Sequence, residues 1–263
     1  MATPRDSTAS PVLLHRAWYA ESLAGFLVSD PDVVIGRLTK NSEFAVLPTQ
    51  RDAWLAQIGI LRDCLHVSTF VKALLDCDQE QAQGAFAQLT GRYPVVLTRD
   101  LGVAKQWIRH RARGSERYGL IASSKAQRRK PHAIDIRVDV DPVPWFLNGK
   151  DDTRSSYYLE DAATEFQVRG LELDWTCVTW DGDLRFAGSG WSYHDFRGDR
   201  WCNIGNGDNR VFLRNAYRVL LTRARQGMVV FVPPGDTNDS TRLPAFYDST
   251  FNYLRELGIP ALG

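Results

Sequence analysis

The 263-residue sequence predicts an α/β fold, a parallel sheet with helices on both faces, preceded by a helical N-terminal segment. Two observations carry this prediction. Up to about Gly91 the apolar residues recur at helical spacing, and from Tyr93 onward short β-branched runs alternate with amphipathic stretches. Strands that alternate with helices favour a parallel sheet, because each crossover connection places a helix on one face.

The helical signals begin after a short polar stretch. Residues 1–15 are rich in Ser, Thr and Pro and hold no long apolar segment, which predicts a disordered lead-in and no secretory signal. Residues 16–91 form the predicted helical segment, in which an Asp-Pro-Asp sequence breaks one helix and Thr49 caps a later one. Two further helices are predicted over residues 70–76 and 79–89.

Four short runs of β-branched and aromatic residues predict the strands of a domain that spans residues 92–263. These runs cover residues 93–98, 118–123, 175–180 and 228–232. Helices are predicted over residues 101–112 and 211–225, with Gly227 ending the second of them, and a last helix over residues 249–257. The stretch 182–209 is rich in Gly, Asp and Trp and is predicted to be a long loop or a small insertion.

The composition narrows the possible partners and compartments. The formal net charge is +1, so any nucleic-acid site must come from local clustering of basic residues. The four cysteines lack metal-ligand spacing, which predicts free thiols, a cytoplasmic location and no metal site. Apolar runs fall short of the roughly 20 residues that a membrane span needs, so we expect no membrane partner.

Basic residues cluster locally between residues 101 and 130, where nine Lys and Arg stand against one acid, Glu116. Such a cluster can hold a phosphate backbone. It can equally be a solvated helix face followed by a mobile loop, and the sequence favours neither. The nine residues are Lys105, Arg109, Arg111, Arg113, Arg117, Lys125, Arg128, Arg129 and Lys130.

A phosphate-binding loop of the pattern G-x-x-x-x-G-K-[ST] is absent from the sequence. The Gly149-Lys150 pair has no preceding glycine and no following Ser or Thr. We therefore expect no hydrolysis of ATP by the chain alone.

The segment 164–174, T-E-F-Q-V-R-G-L-E-L-D, resembles motif V of superfamily 1 DNA/RNA helicases. The resemblance makes Thr164 a candidate contact to nucleic acid, and Gly170 and Glu172 candidate contacts to the nucleotide. Two positions depart from the motif, since Phe166 replaces the usual His and Arg169 replaces Lys or Gln.

The segment 217–230, Y-R-V-L-L-T-R-A-R-Q-G-M-V-V, is similar to motif VI of the same helicases. The resemblance assigns Arg223 the role of the catalytic arginine finger and makes Arg225 a second candidate contact to the nucleotide. A guanidinium suits this role, because its rigid fork of donors matches phosphate oxygens. The alternative is that both arginines satisfy the last carbonyls of a helix and its dipole.

Residues 67–262 resemble the C-terminal part of Schlafen group 3-like DNA/RNA helicases, which implies a second RecA-like lobe without the first. The strand that ends at Thr98 and Arg99 resembles the one that opens this lobe, which makes both residues candidate contacts to nucleic acid, beside Arg128, Arg129 and Lys130. The resemblance implies binding of single-stranded DNA or RNA, and of ATP with Mg²⁺ if a separate protein supplies the first lobe. A different hypothesis is a non-enzymatic nucleic-acid-binding or interaction module that uses the 101–130 cluster.

Overall fold

The structure is a computed structural model that describes residues 65–263. The lead-in predicted over residues 1–15 and the helices predicted over residues 16–64 lie outside the described residues. Within residues 65–263, no helix combines the length and the apolar character that crossing a membrane requires.

The described chain contains six helices and eight strands. The helices are α1 (65–76), α2 (Gln79–Leu89), α3 (Leu101–Arg111), α4 (Pro142–Leu147), α5 (Gly207–Leu221) and α6 (Asp248–Glu256). The strands are β1 (Val95–Thr98), β2 (Tyr118–Ala122), β3 (Ala162–Thr164), β4 (Leu173–Thr179), β5 (Leu184–Phe186), β6 (Trp191–Arg197), β7 (Arg200–Asn203) and β8 (Ala224–Phe231). Short 3-10 helices cover Gln127–His132, Ser156–Tyr158 and Pro244–Phe246.

Five strands form one parallel sheet in the order β1-β8-β4-β2-β3. Its register aligns one apolar row across the whole sheet, made of Leu97, Val230, Val178, Ile121 and Ala163. This parallel sheet with helices confirms the predicted α/β fold of the RecA-like kind.

The sheet is buried on both faces, which explains why its strands read as nearly continuous apolar runs. Along β8, Val230 packs into a core shared with α2, α5 and α6, while its neighbour Val229 packs into a second core with Ala104 and Ile108 of α3. Helices α1 and α2 belong to the first of these cores, and the hydroxyl of Tyr253 donates to the backbone oxygen of Leu74. The first core therefore extends across the predicted boundary near Gly91.

The prediction of a helix over residues 211–225 is wrong at both ends. The side chain of Asn206 accepts from two backbone N–H groups and starts α5 at Gly207. The hydroxyl of Thr222 donates to the oxygen of Arg218 at 2.8 Å, and the helix ends at Leu221. Gly227 is not a helix stop but lies inside β8, where a Cβ atom would stand 2.6 Å from the backbone oxygen of Pro94.

The stretch 182–209 is an insertion but not a long loop, because β5, β6 and β7 form a three-stranded antiparallel sheet within it. Aromatic contacts attach this small sheet to the main core. The rings of Trp180 and Trp191 stack with centroids 5.5 Å apart, and those of Phe186 and Tyr253 stack at 3.9 Å. The three-residue strand β3 is a further element that the sequence pattern did not predict.

Candidate nucleotide and nucleic-acid sites

The three residues Gly170, Glu172 and Arg223 lie together at the amino ends of β4 and β8. Gly170 and Glu172 belong to the loop that enters β4, and Arg223 is the residue before β8. The backbone N–H of Leu173 donates to the oxygen of Arg223 at 3.0 Å, which ties the two strand entrances together. Gly170 adopts a φ of +80°, a left-handed conformation that favours glycine. We call these three residues the amino-end cluster.

The guanidinium of Arg223 closes the last turn of α5. Its Nε donates to the backbone oxygen of Val219 at 3.1 Å, and its Nη1 lies 3.5 Å from the oxygen of Leu171. The second contact is at the long limit for a hydrogen bond and therefore weak. Glu172 is exposed and makes no hydrogen bond or ion pair within residues 65–263. The cluster thus presents one loosely held guanidinium and one open carboxylate.

Arg225 points to a different set of partners. Its Nη2 contacts the carboxylate of Asp174 at 2.7 Å, and Asp174 also accepts from the backbone N–H of Arg117 and from the side chain of Gln226. The side chain of Arg225 is 49% exposed, so this ion pair contributes little to stability. Arg225 therefore lies beside the amino-end cluster, and its guanidinium is held by the carboxylate of Asp174.

The candidates Thr98 and Arg99 lie at the opposite, carboxyl end of the sheet and both have partners within the protein. Thr98 is buried, and its hydroxyl accepts from the backbone N–H of Asp100. The guanidinium of Arg99 donates to the oxygen of Pro233 and to the carboxylate of Asp248 at 2.6 Å, and it lies over the ring of Phe251. The structure thus gives both residues local partners, and Arg99 joins β1 to α6 and to Pro233.

Thr164 ends β3 at the same carboxyl end. Its backbone N–H and its hydroxyl both donate to the side-chain oxygen of Gln167, at 2.7 Å and 3.0 Å. Gln167 in turn donates to the oxygen of Val140. These bonds fix the start of the loop that leads to Gly170 and Glu172.

Of the basic triplet Arg128 to Lys130, Arg129 does not fit the expected contact to nucleic acid. Its side chain is 0% exposed and is paired with Asp181 at 2.6 Å, so no external phosphate reaches it. Arg128 donates to Thr241 and Asp239, and the amine of Lys130 pairs with Asp135. Lys130 is the exposed member of the triplet.

The nine basic residues between 101 and 130 do not form one surface. Helix α3 begins after the carboxyl end of β1 and ends before the amino end of β2. Arg109, Arg111 and Arg113 consequently lie at the amino end of the sheet, whereas Lys125 and the triplet follow the carboxyl end of β2. The sequence cluster is split because strand β2 runs between its two parts and places them at opposite ends of the sheet.

A buried polar cluster at the carboxyl end of β4 was not predicted. Asp181 accepts from Arg129 and from the hydroxyl of Tyr247, and the hydroxyl of Tyr217 donates to Asp183 at 2.6 Å. Both carboxylates are fully buried. A usable signal was present in the sequence, since carboxylates directly after a parallel strand lie where such sheets place functional groups.

The pKa of Asp183 is raised from its ordinary 3.8 to about 6, first by burial and then by the carboxylate of Asp181. Between pH 4 and pH 6 the folded protein holds a proton that the unfolded chain has released. The contribution of Asp183 to the free energy of unfolding therefore falls as the pH rises through this window, by up to about 3 kcal/mol.

The variant Asp183→Asn removes this titration. We expect its stability relative to the wild type to increase between pH 4 and pH 6 and then stay constant, measured by urea unfolding at each pH. Burial lowers the pKa of His132 and of His194 to about 4, which gives the opposite slope, but both histidines are common to the two proteins and cancel in the difference. If the difference in the free energy of unfolding between the two proteins does not change with pH, the pKa of Asp183 is not raised in the folded protein.

A groove of about 570 Å³ lies between the loop after β3, helix α5 and the small sheet. Residues that line it include Lys125, Glu165, Phe166, Arg169, Asp195, Arg197, Asn203, Asn209, Phe212 and Val219. The groove borders Ser124 and Glu165 at the carboxyl ends of β2 and β3, and it extends to the turn of α5 whose carbonyl holds Arg223. In the sequence, Phe166 is only a departure from a motif, and Phe212 has no predicted functional role.

The sequence was compared with protein families and with curated proteins. The model of a family described as Schlafen group 3, DNA/RNA helicase domain, matches residues 64–234, which is more than half of the chain. Among curated proteins, none matches the chain. The matched range includes the segments 164–174 and 217–230, which contain Thr164, the amino-end cluster and Arg225. The chain therefore belongs to the Schlafen group 3 DNA/RNA helicase domain family.

Proposed function

We propose that this helicase-like chain acts as a second motor lobe, which contributes to a nucleotide site but does not hydrolyse ATP alone. Arg223 and Glu172 supply a guanidinium and a carboxylate from the amino end of the sheet, and a separate first lobe supplies the phosphate-binding loop. The observation that carries the proposal is the hydrogen bond from Leu173 to Arg223, since it places the motif V-like and motif VI-like segments side by side.

The residues of the amino-end cluster fit one half of a site for ATP with Mg²⁺. Bound there, ATP would supply the phosphoryl group that is transferred to water. Arg223 would donate to phosphate oxygens, and Glu172 would accept from hydroxyl groups. Gly170 leaves room for close approach, because a Cβ atom there would meet no atom within 4 Å. The described residues contain no group of three or more His, Cys, Asp or Glu suited to hold a metal ion.

The carboxyl end of the sheet faces nucleic acid in this proposal, with single-stranded DNA or RNA as the partner. Residues 164–172 connect the two ends directly, since Thr164 starts the loop at the carboxyl end and Glu172 finishes it at the amino end. A strand bound near Thr164 would thus act on the same loop that presents Glu172. The free cysteines Cys77, Cys177 and Cys202 suit a reducing, cytoplasmic compartment, which we include in the proposal.

ATP hydrolysis by the purified chain tests this proposal. We expect no turnover above the protein-free rate, with or without single-stranded DNA or RNA, because one lobe provides only half of the contacts to the triphosphate. The variant Arg223→Ala should behave identically in this assay. Turnover by the wild type that the variant lacks would show that the chain holds a complete site and would overturn the proposal.

A further inference from the structure

Two phenylalanines with exposed rings line the groove between the loop after β3 and helix α5. Phe166 is 70% exposed and Phe212 is 69% exposed. The other large apolar side chains exposed within residues 65–263 are Leu or Val. Both exposed phenylalanine rings of the described chain therefore lie in a single groove, and exposed apolar groups that share a groove are typical of binding surfaces.

Three cations line the same groove as these rings. Lys125 and Arg197 share the carboxylate of Asp195, at 3.2 Å and 3.3 Å, and Arg169 makes no hydrogen bond or ion pair within residues 65–263. The remaining acid, Glu165, uses both carboxylate oxygens to accept from the backbone N–H and the hydroxyl of Ser124. Three cations thus stand against two carboxylates in the lining of the groove. Arg169 is the cation that has no partner within residues 65–263.

Two asparagine side chains in the groove have open amide groups. Asn203 at the end of β7 and Asn209 in the first turns of α5 make no side-chain hydrogen bond in the described part of the chain. An amide presents two donor hydrogens and an acceptor oxygen, which can pair with the edge of a nucleobase. By contrast, Asn206 is engaged as the cap of α5.

We propose that this groove binds unpaired nucleobases of single-stranded nucleic acid, which stack on Phe166 and Phe212 while Arg169 contacts the backbone phosphates. This inference deepens the proposed function and rests on it, because the proposed function supplies single-stranded nucleic acid as the partner. Exposed aromatic rings beside cations are the combination that single-strand-binding surfaces use. An apolar protein segment in the same groove would leave Arg169 and the amides of Asn203 and Asn209 without partners, which disfavours that occupant.

The experiment separates base contacts from phosphate contacts. Fluorescence anisotropy of the full chain is measured at low salt with a labelled 12-nucleotide thymidine strand and with an abasic strand of the same length and phosphate number. We expect the wild type to bind the base-bearing strand about tenfold or more tightly than the abasic strand. In the double variant Phe166→Ala/Phe212→Ala this preference should vanish, and Phe212→Tyr should retain it.

Matched variants test the remaining parts of the argument. Val211→Ala changes the neighbouring exposed residue of α5, which does not line the groove, and should leave both affinities unchanged. Arg169→Ala should weaken binding of both strands by a similar factor, because phosphates are common to them. Thermal unfolding confirms that the variants remain folded, which we expect because the replaced rings are mostly exposed.

The outcomes distinguish this inference from the proposed function. Equal affinity of the wild type for both strands would overturn base stacking while leaving nucleic-acid binding intact. Absence of binding to either strand would overturn both. A base preference that depends on Phe166 and Phe212 would support the groove even if a complementing lobe never restored ATP turnover.

Discussion

Arg223→Ala is expected to lower ATP turnover by about 10³- to 10⁵-fold once a phosphate-binding lobe is supplied to the chain. The assay combines the purified chain with the first lobe of a helicase of the same family, ATP, Mg²⁺ and single-stranded nucleic acid. The reason is electrostatic, because a guanidinium that contacts the transferring phosphoryl group stabilises charge that develops only in the transition state.

The present contacts of Arg223 permit this role. Its bond to the carbonyl of Val219 has an uncharged acceptor at the end of the helix, and its distance to the oxygen of Leu171 is long. A phosphate anion offers a stronger, charge-assisted and bidentate partner. We therefore expect the guanidinium to exchange these carbonyls for the nucleotide when the second half of the site arrives.

Two further variants decide what Arg223 does. Arg223→Lys keeps the charge but loses the planar fork, so it should recover only part of the lost rate. Arg218→Ala removes another arginine of α5, whose side chain bonds only the side chain of Asn215 within residues 65–263, and it should leave the rate close to that of the wild type. If Arg223→Ala and Arg218→Ala lower turnover equally, Arg223 acts as a helix cap and not as a catalytic group.

Asp181→Ala is expected to lower the free energy of unfolding by about 3–5 kcal/mol. The substitution leaves the buried guanidinium of Arg129 without its counter-charge at the carboxyl end of β4. It also removes the acceptor of the backbone N–H groups of Arg128 and Gly182 and of the hydroxyl of Tyr247. Urea unfolding followed by tryptophan fluorescence at pH 7 measures the loss.

The double variant Asp181→Ala/Arg129→Met provides the control for this loss. Because it removes both charges, we expect it to be more stable than Asp181→Ala alone. A double variant that is less stable than the single one would mean that Arg129 is held by its contacts with Tyr247 and Phe231 and not by the carboxylate. Far-ultraviolet circular dichroism of each variant before unfolding confirms that the sheet is retained.

The strands were predictable from sequence because burial on both faces leaves a simple signal. Each of the four predicted runs lies in or overlaps a strand of the parallel sheet, since such strands need apolar residues at nearly every position. The small antiparallel sheet was not predictable in the same way. Its strands are mostly half-buried and include Arg185, Asp195 and Arg197, so they do not form the continuous apolar runs of the parallel sheet.

The site residues divide along a similar line. The amino-end cluster followed from motif resemblance, because Gly170, Glu172 and Arg223 sit in short segments of recognisable spacing. The basic cluster between residues 101 and 130 was misleading, because counting charges along the sequence ignores that β2 carries the chain from one end of the sheet to the other. The groove depends on the exposure of Phe166 and Phe212, which are 46 positions apart in the sequence. No local sequence pattern predicts that these two residues line the same groove.

The position of β8 has a consequence for how the protein reaches its fold. It is the last strand in chain order within residues 65–263, yet it lies inside the parallel sheet, between β1 and β4. Until β8 is in place, β1 lacks the strand that it pairs with in the five-stranded sheet, and the edge of β4 that faces β8 stays open. Strand pairings between residues so distant in sequence form slowly, and open edges recruit strands from other molecules. The interval before β8 joins is thus the time when the unfinished sheet is most exposed to self-association.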